Sequence, residues 1–233
     1  MKKVTKTAKA TKKATRKAAL KKATTTKAGL ISINILVDSS GSMKPIASDM
    51  AGSLNQLVDE HRDLNVTVTY SIFANTYQPV FADKPIEKVN EFTLKADGST
   101  ALIESACKMI DEVGERLAAM PESERPEKVM FVIITDGQEN ASAPGYTRER
   151  LFTKIREQTE VYNWLFLYLG ANQDAIREAA RYGISADKAV DWHASARGTQ
   201  RSSERLSKKL RQAAASDASH FQDIAFDEED RKE

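Results

Sequence analysis

Ile33 to Met43 reads Ile-Asn-Ile-Leu-Val-Asp-Ser-Ser-Gly-Ser-Met, an apolar run that delivers one carboxylate, Asp38, into a turn with hydroxyls at Ser40 and Ser42. A strand ending in Asp-x-Ser-x-Ser ahead of a helix sets three oxygen donors around one point at the carboxyl edge of a sheet. Oxygen donors of mixed charge are what a hard cation such as magnesium prefers. The chemistry implied is divalent-metal binding. The plainer reading is that these hydroxyls cap helices and shape turns, as serine and threonine commonly do.

Hydrophobic spacing predicts the elements that would position this turn. Leu30–Val37 reads as a strand, and Ile46 to Arg62 as a helix with Met50, Leu54, Leu57 and Val58 on one face. Pro45 is suited to open that helix. Val66–Phe73 alternates as a strand, and Tyr77–Phe81 would pair with it as an antiparallel edge. Pro85–Val89 reads as a connecting helical turn. Ser99–Met120 reads as a long helix with Leu102, Ala106, Ile110, Val113 and Leu117 buried. The continuous apolar run Val129–Thr135 reads as a buried parallel strand that delivers Asp136-Gly137. Beyond it come a helix over Thr147–Thr159, a strand over Trp164–Leu169, a helix over Gln173–Tyr182 and a short strand over Ala189–Trp192. Thr199–Ala214 closes the pattern as a basic amphipathic helix, and the acidic segment Asp227 to Asp230 follows. Alternating strands and helices predict an α/β fold: a doubly wound, mainly parallel six-stranded sheet with one antiparallel edge strand and helices on both faces. Ligands on such sheets sit outside the carboxyl ends of the strands.

Three loops reach that edge: Asp38-Ser39-Ser40-Gly41-Ser42, Gly98-Ser99-Thr100-Ala101-Leu102 and Thr135-Asp136-Gly137. In order and content they resemble the von Willebrand factor A domain with its metal-ion-dependent adhesion site, over roughly Ile31 to Trp192. The resemblance implies that Asp38, Ser40 and Ser42 are ligands of the first loop. It implies that Thr100 binds directly or through water, that Asp136 holds the metal through water, and that Gly41 and Gly137 allow close approach of the chain. Ser39 has no assigned role, and Glu139 and Asn140 shape the rim without being ligands. Asp97 departs from the pattern and adds negative charge to the rim. The segments 128–140, 146–149 and 169–175 further resemble a branch of that family widespread in bacteria and their phages.

Two carboxylates only balance a divalent charge, so a cation held this way would keep electrophilic character toward an outside carboxylate. The cofactor implied is Mg2+, with Mn2+ as the alternative. The partner implied is a protein that offers an Asp or Glu. A haloacid-dehalogenase-type phosphohydrolase using Asp38 is the competing class. It needs a second aspartate two residues on, where this chain has Ser40, and no P-loop or Gly-x-Ser-x-Gly elbow is present. The sequence therefore predicts a binding module rather than an enzyme.

Charge divides the chain. Residues 1–28 carry eleven Lys and Arg and no acid, leaving 24 basic against 33 acidic residues in the remainder, a balance of −9. The expected organisation is a disordered Lys/Ala/Thr-rich tail over 1–29, the domain over 30–195, and a C-terminal helix with an acidic tail over 196–233. The tail composition suits non-specific contact with nucleic acid through counterion release, although it has no aromatic platform for bases. A solubilising extension, a segment folding back on its own acidic domain and an organellar transit peptide are the other readings. Arg201–Arg211 is a secondary basic candidate, or else a solvated helix face. No apolar run approaches the roughly 20 residues needed to span a bilayer. The single cysteine, Cys107, excludes a disulfide within the chain and fits a cytoplasmic address. The three histidines match no zinc spacing.

Overall fold

The computed structural model describes residues 27–171 and 174–232. Residues 1–26, and with them most of the predicted basic tail, lie outside that range, as do Asn172 and Gln173 of the resemblance segment 169–175. Lys27 to Gly29, assigned to the tail by composition, instead begin the first strand: the Lys27 N–H donates to the Arg125 carbonyl at 2.8 Å.

Six strands form one sheet: β1 (Lys27–Asp38), β2 (Val66–Phe73), β3 (Tyr77–Pro85), β4 (Pro126–Thr135), β5 (Leu165–Ala171) and β6 (Ala189–Trp192). Their order is β3-β2-β1-β4-β5-β6. Only β3 is antiparallel, and it sits at the edge as expected. The helices are α1 (Ala47–Asp59), α2 (Leu102–Ala119), α3 (Arg148–Tyr162), α4 (Ala175–Arg181) and α5 (Ala196–Ala215). Alternation along β1 splits the core. Ile31, Ile33, Ile35 and Val37 pack with Met50, Leu54 and Leu57 of α1 and Leu206 and Leu210 of α5. Leu36 lies in the opposite layer with Phe131 and Ile133 of β4, Ile110 of α2 and Ile155 of α3. Helices thus cover both faces of the sheet.

Two expected elements begin differently. The helix after β1 is entered through a 3-10 turn, Gly41–Ile46, which contains Pro45, so the proline sits before the α-helix rather than at its first position. The long helix begins at Leu102 instead of Ser99. The reason is that the backbone of Thr100 is engaged elsewhere: its N–H donates to Asn140 Oδ1 at 2.9 Å, and its carbonyl accepts the Asn140 N–H at 3.0 Å.

The C-terminal segment, set apart in sequence, packs on the same core. Phe221, Ile224 and Phe226 join the α1/α5 layer. On α5, Lys209 is fully buried and paired with the buried Asp230, and Arg205 is 8% exposed. The basic face of this helix is therefore partly turned inward, which corrects the expectation of a wholly solvated or nucleic-acid-facing stripe over Arg201–Arg211. Cys107 is buried, and burial pushes its thiol up to about 11, as suits a structural rather than a reactive cysteine. No helix among the described residues is long and apolar enough to cross a membrane.

Candidate metal centre

Parallel pairing brings the first and third loops to one level. Val37 is opposite Ile134, so Asp38 leaves β1 beside Thr135, and Asp136 follows one residue on. Asp38 is fully buried and anchored twice: Ser40 N–H donates to its Oδ1 at 2.7 Å, and the Thr135 hydroxyl donates to its Oδ2 at 2.6 Å. Ser40 Oγ and Ser42 Oγ lie 3.0 Å apart, and Ser42 Oγ donates to Asp136 Oδ1 at 2.7 Å. One polar chain thus joins four of the five predicted ligands.

Thr100 completes the set through Gly137. A Cβ placed on that glycine would lie 3.2 Å from Thr100 Oγ1 and 3.7 Å from both Asp38 Oδ2 and Ser42 Oγ. Oxygens from two loops therefore surround a space kept open by the missing side chain on the third. Ser40 makes no side-chain cap to the turn it precedes, and the residue before α2 is Ala101 rather than Thr100. The residues fit a small oxygen-seeking cation. Among the described residues, no group of three or more His, Cys, Asp or Glu side chains could hold a metal.

Backbone contacts lock the second loop to the first. Gly41 N–H donates to the Gly98 carbonyl at 2.9 Å, and Asp97 N–H donates to the Ser39 carbonyl at 2.8 Å. Gly98 has φ +84°, and a Cβ there would sit 2.9 Å from the Asn75 side chain, which itself accepts the Ser99 N–H at 2.7 Å. Glycine is needed for both reasons. Ser39 has a structural role that sequence did not show: its hydroxyl donates to the Phe73 carbonyl at 2.9 Å, tying the loop to β2. Asp97 does not simply add negative charge to the rim, since Lys44 pairs with it at 3.1 Å. That contact holds its carboxyl below the usual range.

Glu139 and Asn140 do more than shape a rim. Glu139 accepts N–H groups from Ile103, Ala141 and Ser142 and the Ser142 hydroxyl, while Asn140 brackets Thr100. They clamp the third loop onto the start of α2. No periodicity signals this, because the Ile103 and Thr100 donors lie 36 and 40 residues away in sequence.

Burial raises the Asp38 carboxyl from 3.8 to about 6, partly offset by the Thr135 and Ser40 hydrogen bonds and reinforced by the Asp136 charge. Burial also raises Asp136. The sign follows from linkage: a folded-state value above the unfolded one favours folding below pH 3.8, and that benefit is lost as pH rises through about 6. A bound cation favours the ionised form and opposes this loss. The expected result is that the melting-temperature gain on adding magnesium to EDTA-treated protein is small at pH 5, grows through pH 6 and levels off by about pH 7.5. A gain that is flat across this range would remove Asp38 from the ligand set.

No protein-family model matches this chain, and no curated protein matches it. Solved structures do. Proximal thread matrix protein 1 from the mussel byssus aligns with a TM-score of 0.56 at 18% identity, over 79% of this chain and 47% of that one. The same mussel protein with a zinc-occupied MIDAS motif (metal-ion-dependent adhesion site) aligns at 0.54 and 18%, over 80% and 47%. The pilus adhesin SpaC from Lactobacillus rhamnosus GG, in an open conformation, aligns at 0.56 and 13%, over 77% and 30%. This chain thus corresponds to about half of the mussel protein's length. The fold of the described residues is that of the von Willebrand factor A domain.

Proposed function

We propose that this chain is a divalent-metal-dependent protein-interaction module. Asp38, Ser40, Ser42, Thr100 and Asp136 would hold Mg2+, or Mn2+ in its place. The observation that carries the reading is the space over Gly137, ringed by Thr100, Asp38 and Ser42 oxygens. A neighbour of the same fold with a zinc-occupied MIDAS motif supports a divalent cation in this position. When bound, the metal would act as a Lewis acid toward an Asp or Glu carboxylate of a partner protein. The chain's own contribution is to orient five oxygens and keep their net charge low. Asp38 is buried and fixed by two donors, while Ser42 is exposed, so the site opens to solvent on the Ser42 side.

Phosphohydrolase chemistry is disfavoured because the position two residues after Asp38 is Ser40, whose hydroxyl engages Ser42 and offers no general acid. A basic tail that ends before the first strand at Lys27, and a cytoplasmic place in a bacterium or phage, belong to the same proposal. The tail would add non-specific contact with nucleic acid or another polyanion.

Affinity purification with and without metal tests the central claim. Partners retained in magnesium should be released by excess EDTA, and should be absent from Asp38→Ala purified in magnesium. Partners that persist through both treatments would assign the interaction to another surface.

A further inference from the structure

The first strand starts beside a groove that the metal centre does not use. β1 runs parallel to β4 with Lys27 opposite Pro126, so the chain enters the sheet at the end remote from Asp38, about 35 Å away along the strand. Two contacts fix that entry. The Lys27 N–H donates to the Arg125 carbonyl at 2.8 Å, and the Gly29 N–H donates to Glu127 Oε2 at 2.7 Å. Arg125, Pro126 and Glu127 also line a groove of about 830 Å³ between the C-terminal halves of α2 and α3.

The lining of this groove is part apolar and part acidic. Val161 and Tyr162 belong to it, and at 67% and 59% they are the two most exposed large apolar side chains among the described residues. Asp111, Glu115, Glu127 and Glu157 bring four carboxylates against one cation, Arg125, whose guanidinium is engaged by the carbonyls of Met120 and Ala118 at 3.1 Å each. Asp111 pairs with Lys154, and Glu127 holds Gly29. Glu115 and Glu157 are exposed and form no ion pair or side-chain hydrogen bond among the described residues.

Residues 1–26 match this groove in charge and in starting point. They carry ten Lys and Arg and no acid, and Leu20-Lys21-Lys22 sets a large apolar side chain beside two cations. Lys22 lies five residues before Lys27, a reach of up to about 18 Å. The groove follows α2 from Ile110 to Ala118, about 14 Å of helix. A segment tethered so closely meets the groove at an effective concentration of about 1 mM, which a free partner seldom matches.

We propose that the basic tail docks back into this groove, with Leu20 against Val161 and Tyr162 and with Lys21 and Lys22 on Glu115 and Glu157. The acidic groove then competes with any polyanion for the same lysines. The docking is independent of the metal centre, which lies at the other end of the sheet.

The test uses the full chain in excess EDTA, treated with a carbodiimide that joins lysine amines to carboxylates in contact. The expected result is that Lys21 and Lys22 couple to Glu115 and Glu157 in preference to the exposed Glu122 and Glu124, and that coupling is lost in about 1 M salt. An equal mixture of isotope-labelled and unlabelled protein separates coupling within one chain, which is expected, from coupling between copies. Trypsin gives a second readout. Cleavage after Lys21 and Lys22 should be about threefold faster in Glu115→Gln/Glu157→Gln, the loss of two exposed ion pairs, and unchanged in Glu122→Gln/Glu124→Gln, which removes the same charge outside the groove. Coupling spread evenly over all four glutamates, coupling only between copies, or equal cleavage in the two variants would each overturn the proposal.

Discussion

Asp38→Asn is expected to abolish metal uptake and yet leave the metal-free protein at least as stable as the parent at pH 8. The two effects share one cause. Asp38 is fully buried, and burial lifts its carboxyl to about 6, so at pH 8 the metal-free site holds an ionised group that the fold disfavours. The gap from 3.8 to about 6 corresponds to about 3 kcal/mol of differential stabilisation between the two protonation states. An uncharged amide of the same shape removes that penalty. Its oxygen can still accept the Ser40 N–H, and its NH2 can face Thr135, whose hydroxyl already has a second acceptor in the Gly137 carbonyl at 3.1 Å. The amide cannot balance a divalent charge, and with Asp136 alone remaining the loss in magnesium or manganese affinity should exceed about 100-fold, beyond the range seen for indirect ligand partners. Calorimetric titration with each metal and melting curves in EDTA measure the two halves separately. A variant that binds magnesium as the parent does would dismantle the site. One that melts well below the parent in EDTA would show that the charge serves the fold instead.

Sequence reading succeeded where the physics is local. The apolar run Val129–Thr135 could only be a buried strand, and the alternation in Val66–Phe73 matched one face of a sheet. Once β1 and β4 are placed side by side, Asp38 and Asp136 must emerge together, so the three-loop reading carried real geometric content. What stayed hidden depends on pairings between distant positions. Leu30–Val37 reads as a strand, but nothing in it signals that Ser32 and Asn34 are buried, or that Arg116 of α2 reaches down to Asn34 at 3.4 Å and to Thr69 at 3.0 Å. Lys209 and Asp230 look like surface charges in isolation and become a buried pair only because Phe221, Ile224 and Phe226 bring the chain end against α5. Asn75 and Ser39, which hold the second loop in place, are small polar residues of a kind found in any turn. Such roles follow from where the partner lies, and no period of 2 or 3.6 encodes that.

Glu139 is the clearest such residue, and Glu139→Ala is expected to damage both fold and site. Its Oε2 accepts the Ile103 N–H and the Ser142 hydroxyl at 2.7 Å each, and its Oε1 accepts the N–H groups of Ala141 at 2.9 Å and Ser142 at 2.8 Å. Ile103 lies in the first turn of α2, where N–H groups have no partner within the helix, and Ala101 offers no side-chain cap. A carboxylate from another loop meets that need and also faces the positive end of the helix. Water can replace part of this in a partly exposed position, so the cost should be about 2 kcal/mol. For a chain of this size that is a fall of about 4–8 °C in melting temperature. Because Asn140 brackets Thr100, releasing the loop should also loosen Thr100 and weaken metal binding about tenfold, as loss of a supporting contact does. Glu139→Gln keeps one acceptor oxygen and should recover about half of the stability. A melting temperature within about a degree of the parent would show that solvent substitutes fully for the carboxylate. A lowered melting temperature with unchanged metal affinity would mean that the Gly41 and Asn75 contacts hold Thr100 in place without help from the third loop.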